Sequence, residues 1–413
     1  MIRPPTNFET RMNGDDRAAI VYRVHQRLLQ EVDLSSLEQR SPEEARAAIE
    51  ASVRSIVANV ADVAGITDMA GLYGDAKEAV IKAVVDEAVG FGPIQPLVDD
   101  PDISEVMVNA PDEVYYERNG VIHAAEARFN DEAHILRIID RIIAPLGRRV
   151  DESSPFVDAR LPDGSRVNIM IPPLIPRSPT VTIRKFRPER HTIEDLVQNE
   201  TFSQQAAEFI GASIAQRKNI VISGGTGTGK TTVLNALSAF IPEAERIITI
   251  EDPIELKLQQ RHVVAMEARP ANIEGRNAVS QRELVRNALR MRPDRIIVGE
   301  VRGQEAFDMM QAMNTGHEGS MTTVHANSAR DALSRIENMV LMAGLDLPIR
   351  AIREQMASAL HLLVHLSRSS DGRRVVTSIS ETGGLKGDTV ALRELFKLDA
   401  AGRLEPVSDG APR

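Results

Sequence analysis

The sequence predicts an α/β protein: a C-terminal, mainly parallel sheet covered by helices, preceded by a small α+β domain and an N-terminal helical module. Three observations carry this. Residues 219–232, Asn-Ile-Val-Ile-Ser-Gly-Gly-Thr-Gly-Thr-Gly-Lys-Thr-Thr, set an apolar strand, a glycine loop and a helix start in immediate succession. From residue 192 onward short apolar strands alternate with helical segments, the pattern of a parallel sheet whose ligands bind at the carboxyl ends of its strands. The chain has 413 residues, more than the ~250–300 that one hydrophobic core accommodates, so two or three domains are expected: 1–75, 76–190 and 191–413.

Taken in order, residues 16–60 read as helical. Ile20, Val24, Leu28 and Val32 recur at four-residue spacing, Ser41-Pro42-Glu43-Glu44 is a capping box with proline at the first helical position, and Ala48, Ile49, Val53, Ile56, Val57 and Val60 trace an apolar stripe. A packed pair or trio of helices fits this better than a free coiled coil. Residues 65–74 break the pattern.

A helix over about 76–89 then runs into the loop Gly-Phe-Gly-Pro-Ile-Gln-Pro at 90–96. Strands follow at 103–108 and 114–117. A helix from about 132 presents Ile135, Leu136, Ile139, Ile142 and Ile143 on one face. Strands at 156–161 and 165–171 flank Pro162-Asp163-Gly164, a hairpin signal. A further strand is expected at 181–186, and residues 187–191 form a hinge.

In the last domain, strands are expected at 219–223, 246–251, 263–266, 295–300 and 320–324, with helices starting near Thr231, Gln281, Gln304 and Ala329. Additional strands are expected at 361–366, 373–379 and 389–395, and residues 408–413 are expected to fray.

The pattern Gly224-Gly225-Thr226-Gly227-Thr228-Gly229-Lys230-Thr231, followed by Thr232, has the spacing of a phosphate-binding loop. Such a loop turns its backbone N–H groups onto a nucleotide β-phosphate, and glycines allow the left-handed turns and close approach this needs. The positive end of the following helix faces the phosphates. Lys230 then reaches the β- and γ-phosphates, and the Thr231 hydroxyl faces Mg²⁺. ATP and Mg²⁺ are the expected cofactors.

Composition narrows the alternatives. The net charge is −10 and aromatic residues make up 3%. Both disfavour general nucleic-acid binding, which draws on basic surface and stacking platforms. The absence of cysteine excludes disulfides, thiolate catalysis and cysteine-ligated zinc. The polar N-terminus has no apolar signal core, and no apolar run of 18 residues is present. A soluble protein, meeting membranes only through partners, is therefore expected.

Hydrolysis needs carboxylates beside the phosphate loop. Two apolar strands each end on one: Ile247-Ile-Thr-Ile-Glu251-Asp-Pro-Ile-Glu255 and Asp294-Arg-Ile-Ile-Val-Gly-Glu300-Val-Arg302. Both strands deliver a glutamate to the sheet edge where the loop lies. The segment Thr315-Gly-His317-Glu-Gly-Ser-Met-Thr-Thr-Val-His325-Ala-Asn327 then sets two histidines around a short strand. They suit γ-phosphate sensing or contact with a neighbouring subunit better than metal binding, because no third ligand stands at a suitable spacing.

In this order, the glycine loop, the 251–255 acidic box, the 295–300 strand and the paired histidines resemble the ATPases of type II and type IV secretion. Three upstream segments, 147–155, 157–168 and 180–186, resemble the CpaF-type (TadA-like) ATPase of Tad/Flp pilus assembly, as do 291–303 and 313–327. That resemblance implies a homo-hexamer of subunits with a PAS-like α+β N-terminal domain and a RecA-like P-loop ATPase domain. It implies that Arg160, Arg166 and Arg184 reach the phosphates of a neighbouring subunit, that Arg302 is a further interfacial arginine, and that Glu251 and Glu300 are the catalytic and Walker B glutamates. Which of the two orients water and which serves hydrated Mg²⁺ stays open. Partners implied are inner-membrane pilus platform proteins, with the chain cytoplasmic and peripheral to that membrane. A conjugative type IV secretion ATPase is the alternative. A nucleic-acid motor and a non-hydrolysing scaffold are less consistent with the acidic composition and the intact glutamates.

Overall fold

The computed structural model describes residues 14–32, 41–58, 74–186, 191–269, 276–369, 372–399 and 402–407. The chain divides into two units, Met1–Arg187 and Pro188–Arg413. Residue Val60, most of the 65–74 break, most of the 187–191 hinge and the 408–413 tail lie outside the described residues.

The first unit opens with helices Gly14–Glu31 and Pro42–Ala58, joined in one core by helix Asp75–Val89. Ile20, Val24 and Leu28 pack with Ile49, Val53, Ile56 and Val57, and the third helix contributes Val80, Ile81, Val84 and Val85. The trio is closed by four-residue periodicity on each helix. Ser41 caps the second helix as its sequence predicts: its hydroxyl accepts the Glu44 N–H at 3.3 Å, and the Glu44 carboxylate accepts the Ser41 N–H at 3.0 Å. Helix Asp75–Val89 thus packs with the two helices on the other side of the boundary expected at residue 75.

Strands β1 (Ile103–Ala110), β2 (Glu113–Arg118), β3 (Val121–Ala124), β4 (Phe156–Arg160), β5 (Arg166–Met170) and β6 (Thr180–Arg184) follow. They form an antiparallel sheet of order β3-β2-β1-β6-β5-β4. Val106, Val108, Val167, Ile169, Val181 and Ile183 alternate onto one face and pack in one core with helix Glu132–Ile143. That helix buries Ile135, Ile138, Ile139, Ile142 and Ile143. Leu136, expected on the apolar face, is 37% exposed, because the i, i+3, i+4, i+7 stripe passes through Ile138. The 90–96 segment, expected as loop, forms a 3₁₀ turn at Gly92–Ile94 and a short helix at Gln95–Asp99. Its prolines occupy first-turn positions, where no N–H is required. Strand β3 was not anticipated, although Asn119-Gly120, both at positive φ (52° and 77°), is a standard two-residue hairpin signal.

The second unit holds β7 (Ile220–Gly224), β8 (Ile247–Glu251), β9 (Val263–Glu267), β10 (Arg295–Val301), β11 (Met321–His325), β12 (Leu362–Arg368), β13 (Arg374–Lys386), β14 (Thr389–Leu398) and β15 (Leu404–Pro406). The order is β15-β14-β13-β12-β7-β11-β10-β8-β9. Pairs from β12 to β9 are parallel, and β13 to β15 extend the sheet antiparallel. Strands β7 and β8 are buried along their whole length, as expected when helices cover both faces of a sheet. The helices Lys230–Ser238, Gln281–Ala288, Glu305–Asn314 and Ala329–Met342 start within a residue of the expected positions. Helices Ile193–Gln198, Gln204–Ala215 and Ile349–Ala359 were not anticipated. Two of them carry readable caps: Thr192 and Asp195 form a capping box, and Ser203 accepts from the Ala206 N–H. Among the described residues no helix is long and apolar enough to cross a membrane.

The amino edge of this sheet is fastened by two buried polar residues. Asn219 donates to the Ala359 carbonyl at 2.7 Å and accepts from the N–H groups of Gly319 and Ser320. Arg295, 0% exposed, pairs with Glu245 and donates to the Gly319 carbonyl at 3.3 Å. A Cβ on Gly319, where φ is +85°, would stand 2.6 Å from the Arg295 guanidinium, so only glycine leaves room for it.

Removing one partner of a buried ion pair leaves an uncompensated charge and typically costs about 3–5 kcal/mol. Glu245→Ala is therefore expected to lower the melting transition of the second unit by roughly 6–20 °C. Calorimetry of the full chain measures this, and a shift below about 2 °C would mean that Arg295 escapes to solvent.

Candidate active site

Strand β7 lies between β11 and β12 and ends at Gly224. The chain cannot carry a side chain there: a Cβ on Gly224 would stand 2.6 Å from both the Leu366 carbonyl and the Thr228 hydroxyl. Gly227 and Gly229 take φ of +69° and +89°, the left-handed region that glycine enters without strain. The loop is closed by the Thr228 hydroxyl, which donates to the Gly225 carbonyl at 2.9 Å. Thr231 and Thr232 follow in the first helical turn, partly exposed.

Lys230 folds back over this loop. Its ammonium donates to the carbonyls of Gly224 (3.0 Å) and Gly225 (2.9 Å). Burial pushes its pKa down from the ordinary lysine value, and Glu300 opposes that shift. A desolvated cation held beside a row of loop N–H groups is well placed to exchange weak carbonyl partners for phosphate oxygens.

Glu300 lies one residue before the end of β10. It accepts from the Arg302 guanidinium through Nε (2.8 Å) and Nη2 (2.5 Å). Its other oxygen is 3.6 Å from Nδ1 of His325, whose Nε2 lies 3.1 Å from the Thr226 hydroxyl. One polar chain thus joins the ends of β10 and β11 to the glycine loop.

Glu251, at the end of β8, is only 2% exposed. One carboxylate oxygen accepts the N–H groups of Glu255 (2.7 Å) and Leu256 (2.9 Å), and the other is buried, with the Thr249 hydroxyl its nearest polar neighbour. Burial pushes this carboxyl above the ordinary glutamate range, and the two N–H donors only partly offset it. Gly299 makes the space: a Cβ there would stand 2.9 Å from Glu251 Cγ. Glu255 sits in the loop after β8, half-buried, and its charge acts on Lys230.

Not every expected residue meets here. Parallel pairing puts His325 at the carboxyl end of β11 and His317 before its amino end. Five strand residues span ~16 Å, so within one chain His317 lies at the far edge from Lys230, beside the Asn219 and Arg295 fastening. Its carbonyl accepts the Ser320 hydroxyl at 2.8 Å. Within one chain His317 and His325 therefore lie at opposite edges of the sheet.

Arg160, Arg166 and Arg184 belong to the first unit. They are direct cross-strand neighbours at the ends of β4, β5 and β6, Arg160 opposite Arg166 and Arg166 opposite Arg184. Glu105 stands opposite Arg184 and Glu117 opposite Glu105. The row lies on the face away from the apolar core, and like charges directly opposite each other are unfavourable unless something compensates them.

Sequence reasoning missed two neighbours of the loop. His365 of β12 lies 2.9 Å from the Ser223 hydroxyl, the residue before the loop. Burial lowers its pKa, while a hydrogen bond to the Asn327 backbone raises it. Arg374 opens β13, and its side chain lies over Gly229. No spacing rule links either residue to the loop, because both arrive through strand order.

Residues 87–393 match the family described as type II/IV secretion system protein. A Mycobacterium tuberculosis protein named for conjugal transfer is 36% identical over 308 residues, covering 73% of this chain and 87% of that protein. The type IV secretion system protein VirB11 of Brucella suis is 33% identical over 316 residues, covering 70% of this chain and 88% of its own length. Among solved structures, the ATPase DotB of Yersinia pseudotuberculosis shares the fold with a TM-score of 0.52 at 19% identity, covering 73% of this chain and 79% of that one.

The environment of Glu251 fixes the sign of one prediction. Its folded pKa is raised, so the ionised form destabilises the fold at pH above that raised value. This penalty fades as pH falls toward the ordinary glutamate value of 4.5. Glu251→Gln keeps the acceptor for the Glu255 and Leu256 N–H groups and removes the charge. It is expected to raise the melting temperature by a few degrees, about 2–4 °C per kcal/mol, at pH 8. That gain should vanish near pH 4.5, while turnover falls by ~10²–10⁴-fold. Melting curves across pH, with ATPase assays, check both halves.

Proposed function

The chain belongs to the type II/IV secretion system protein family, and we propose that it is an ATPase whose hydrolysis cycle performs mechanical work on a membrane-bound assembly. The observation that carries this is the convergence of Lys230, the Thr226–His325–Glu300–Arg302 chain and buried Glu251 at one edge of a parallel sheet. Loop N–H groups and Lys230 bind the β- and γ-phosphates. His325 and Thr226 report the presence of the γ-phosphate to Glu300. Glu251, enclosed at the strand end with a carboxyl raised by burial, suits the water-orienting base.

The partly exposed Thr231 hydroxyl in the first helical turn and the Glu300 carboxylate at the same sheet edge fit a hydrated Mg²⁺–nucleotide. Thr231 and Glu300 would hold the ion, which supplies charge neutralisation on the β- and γ-phosphates when bound.

The assembly we propose is a homo-hexamer in which the antiparallel-sheet domain, read as PAS-like, lends Arg160, Arg166 and Arg184 to the nucleotide of the neighbouring RecA-like domain. Three guanidinium groups adjacent across the strands present many charge-assisted donors to an anion. Arg302 and His317 are assigned to the subunit interface. The work is passed to an inner-membrane platform protein, with the motor peripheral to the cytoplasmic side and no direct nucleic-acid contact. The wording of the upstream segments favours Tad/Flp pilus assembly, and the names of the relatives favour conjugative type IV secretion. Deleting the gene and scoring surface pili against plasmid transfer separates the two.

Lys230→Ala is expected to abolish ATP hydrolysis with the fold retained. Mixed rings of Lys230→Ala and Arg160→Ala or Arg166→Ala subunits are expected to regain part of the activity, because some interfaces then join an intact loop to intact arginines. An arginine supplied in trans is worth ~10³–10⁵ in rate. Verified mixed rings with no recovery would remove the trans arginines from the reading.

A further inference from the structure

The turn from β12 to β13 brings arginines to the phosphate loop from the side opposite the carboxylates. Strand β12 runs parallel to β7 with Leu366 level with Gly224, so Arg368 lies two residues beyond the point where β7 becomes the loop. Strand β13 starts back from the same edge, with Arg374 opposite Arg368. Arg373 is tied to Glu200, which anchors the turn. Arg374 is exposed, and a Cβ on Gly229 would stand 3.3 Å from its Cδ. The aliphatic stem of Arg374 therefore lies against the last glycine of the loop, at the start of a nine-residue helix.

Direction along the sheet assigns the end of the nucleotide that this arginine meets. The charges acting on Lys230 are those of Glu300, Arg302 and Glu255, all from the β10 and β8 side of β7. The γ-phosphate belongs on that side, because the water-orienting and Mg²⁺-holding carboxylates are there. The phosphate chain then crosses the loop toward β12, where its α-phosphate and ribose pass Gly229. We infer that Arg374 is a nucleotide-contacting residue for the α-phosphate and ribose end, setting affinity for nucleoside di- and triphosphates alike while leaving the γ-phosphate chemistry to the other side of the loop. This rests on the ATPase reading above. A guanidinium suits the role because its donors are spread over a plane wide enough to engage a phosphate and a ribose hydroxyl together.

Calorimetric titration of the full chain with ADP and with a slowly hydrolysed ATP analogue, alongside steady-state kinetics, tests the assignment. Arg374→Ala is expected to weaken both ligands by about 10- to 100-fold, the span of a lost charge-assisted hydrogen bond. The KM for ATP should rise in proportion while kcat stays within about twofold, and Arg374→Lys should recover part of the affinity. Unchanged ADP affinity in Arg374→Ala overturns the inference. So does a loss of kcat with ADP affinity intact, which would move Arg374 to the γ-phosphate end. If Arg374→Ala fails to fold, Arg374→Gln gives the same reading with the stem preserved. Wild-type protein that binds neither ligand overturns the ATPase reading itself, a result distinct from an arginine without effect.

Discussion

Parallel pairing of β7 with β11 on one side and β12 on the other is the constraint from which the site follows. Parallel strands all end at the same edge, so the groups that the proposed reading assigns to the nucleotide reach it from separate parts of the sequence. The glycine loop comes from β7, Glu300 from β10, Glu251 from β8, His325 from β11, and Arg374 from the turn after β12. Pairing also decides what stays away. His317 and His325 are only eight positions apart, yet the strand between them carries them to opposite edges. The buried Asn219 and Arg295 occupy the amino edge for a matching reason: strands need fastening there, and no ligand competes for the space.

At the carboxyl edge, two glutamates of identical chemistry are given different environments. Glu300 is held by Arg302 and faces His325 across the open edge. Glu251 is enclosed, with backbone N–H groups on one oxygen and only the neighbouring Thr249 hydroxyl to offset burial of the other. Enclosure costs stability whenever Glu251 is ionised, and only Gly299 makes the space available. On the proposed reading, this difference in burial is what suits Glu251 rather than Glu300 to orient water.

Much of this was legible in the sequence, and the parts that were not share a cause. The glycine loop, its strand and its helix are local, and their residues dictate the fold through φ and packing alone. The parallel strands were readable because each is a short apolar run ending on a polar residue. Missed elements included short ones whose clear local signal, such as Asn119-Gly120 before β3 or the cap at Thr192, stands beside too few residues to show a period. Leu136 was misplaced because an apolar residue next to a stripe looks like part of it until Ile138 is counted at i+3. His365 and Arg374 lie more than a hundred residues from the loop they touch. Their role depends on which strand is neighbour to β7, and no periodicity encodes that order.

The distribution of cations around the loop also explains why the edge looks incomplete in a single chain. Lys230 stands over the loop, Arg302 on the carboxylate side and Arg374 on the other. Of these, Arg302 is already engaged by Glu300, which lowers its net pull on a third phosphate. A transition state that spreads charge over the γ-phosphate oxygens gains from each further guanidinium brought to it. In the first unit, Arg160 and Arg166 face each other with the acidic residues Glu105 and Glu117 displaced to the far end of the row, beyond Arg184. On the proposed reading, that row of arginines is what a neighbouring subunit adds to the phosphates at the sheet edge, where Arg302 is held by Glu300.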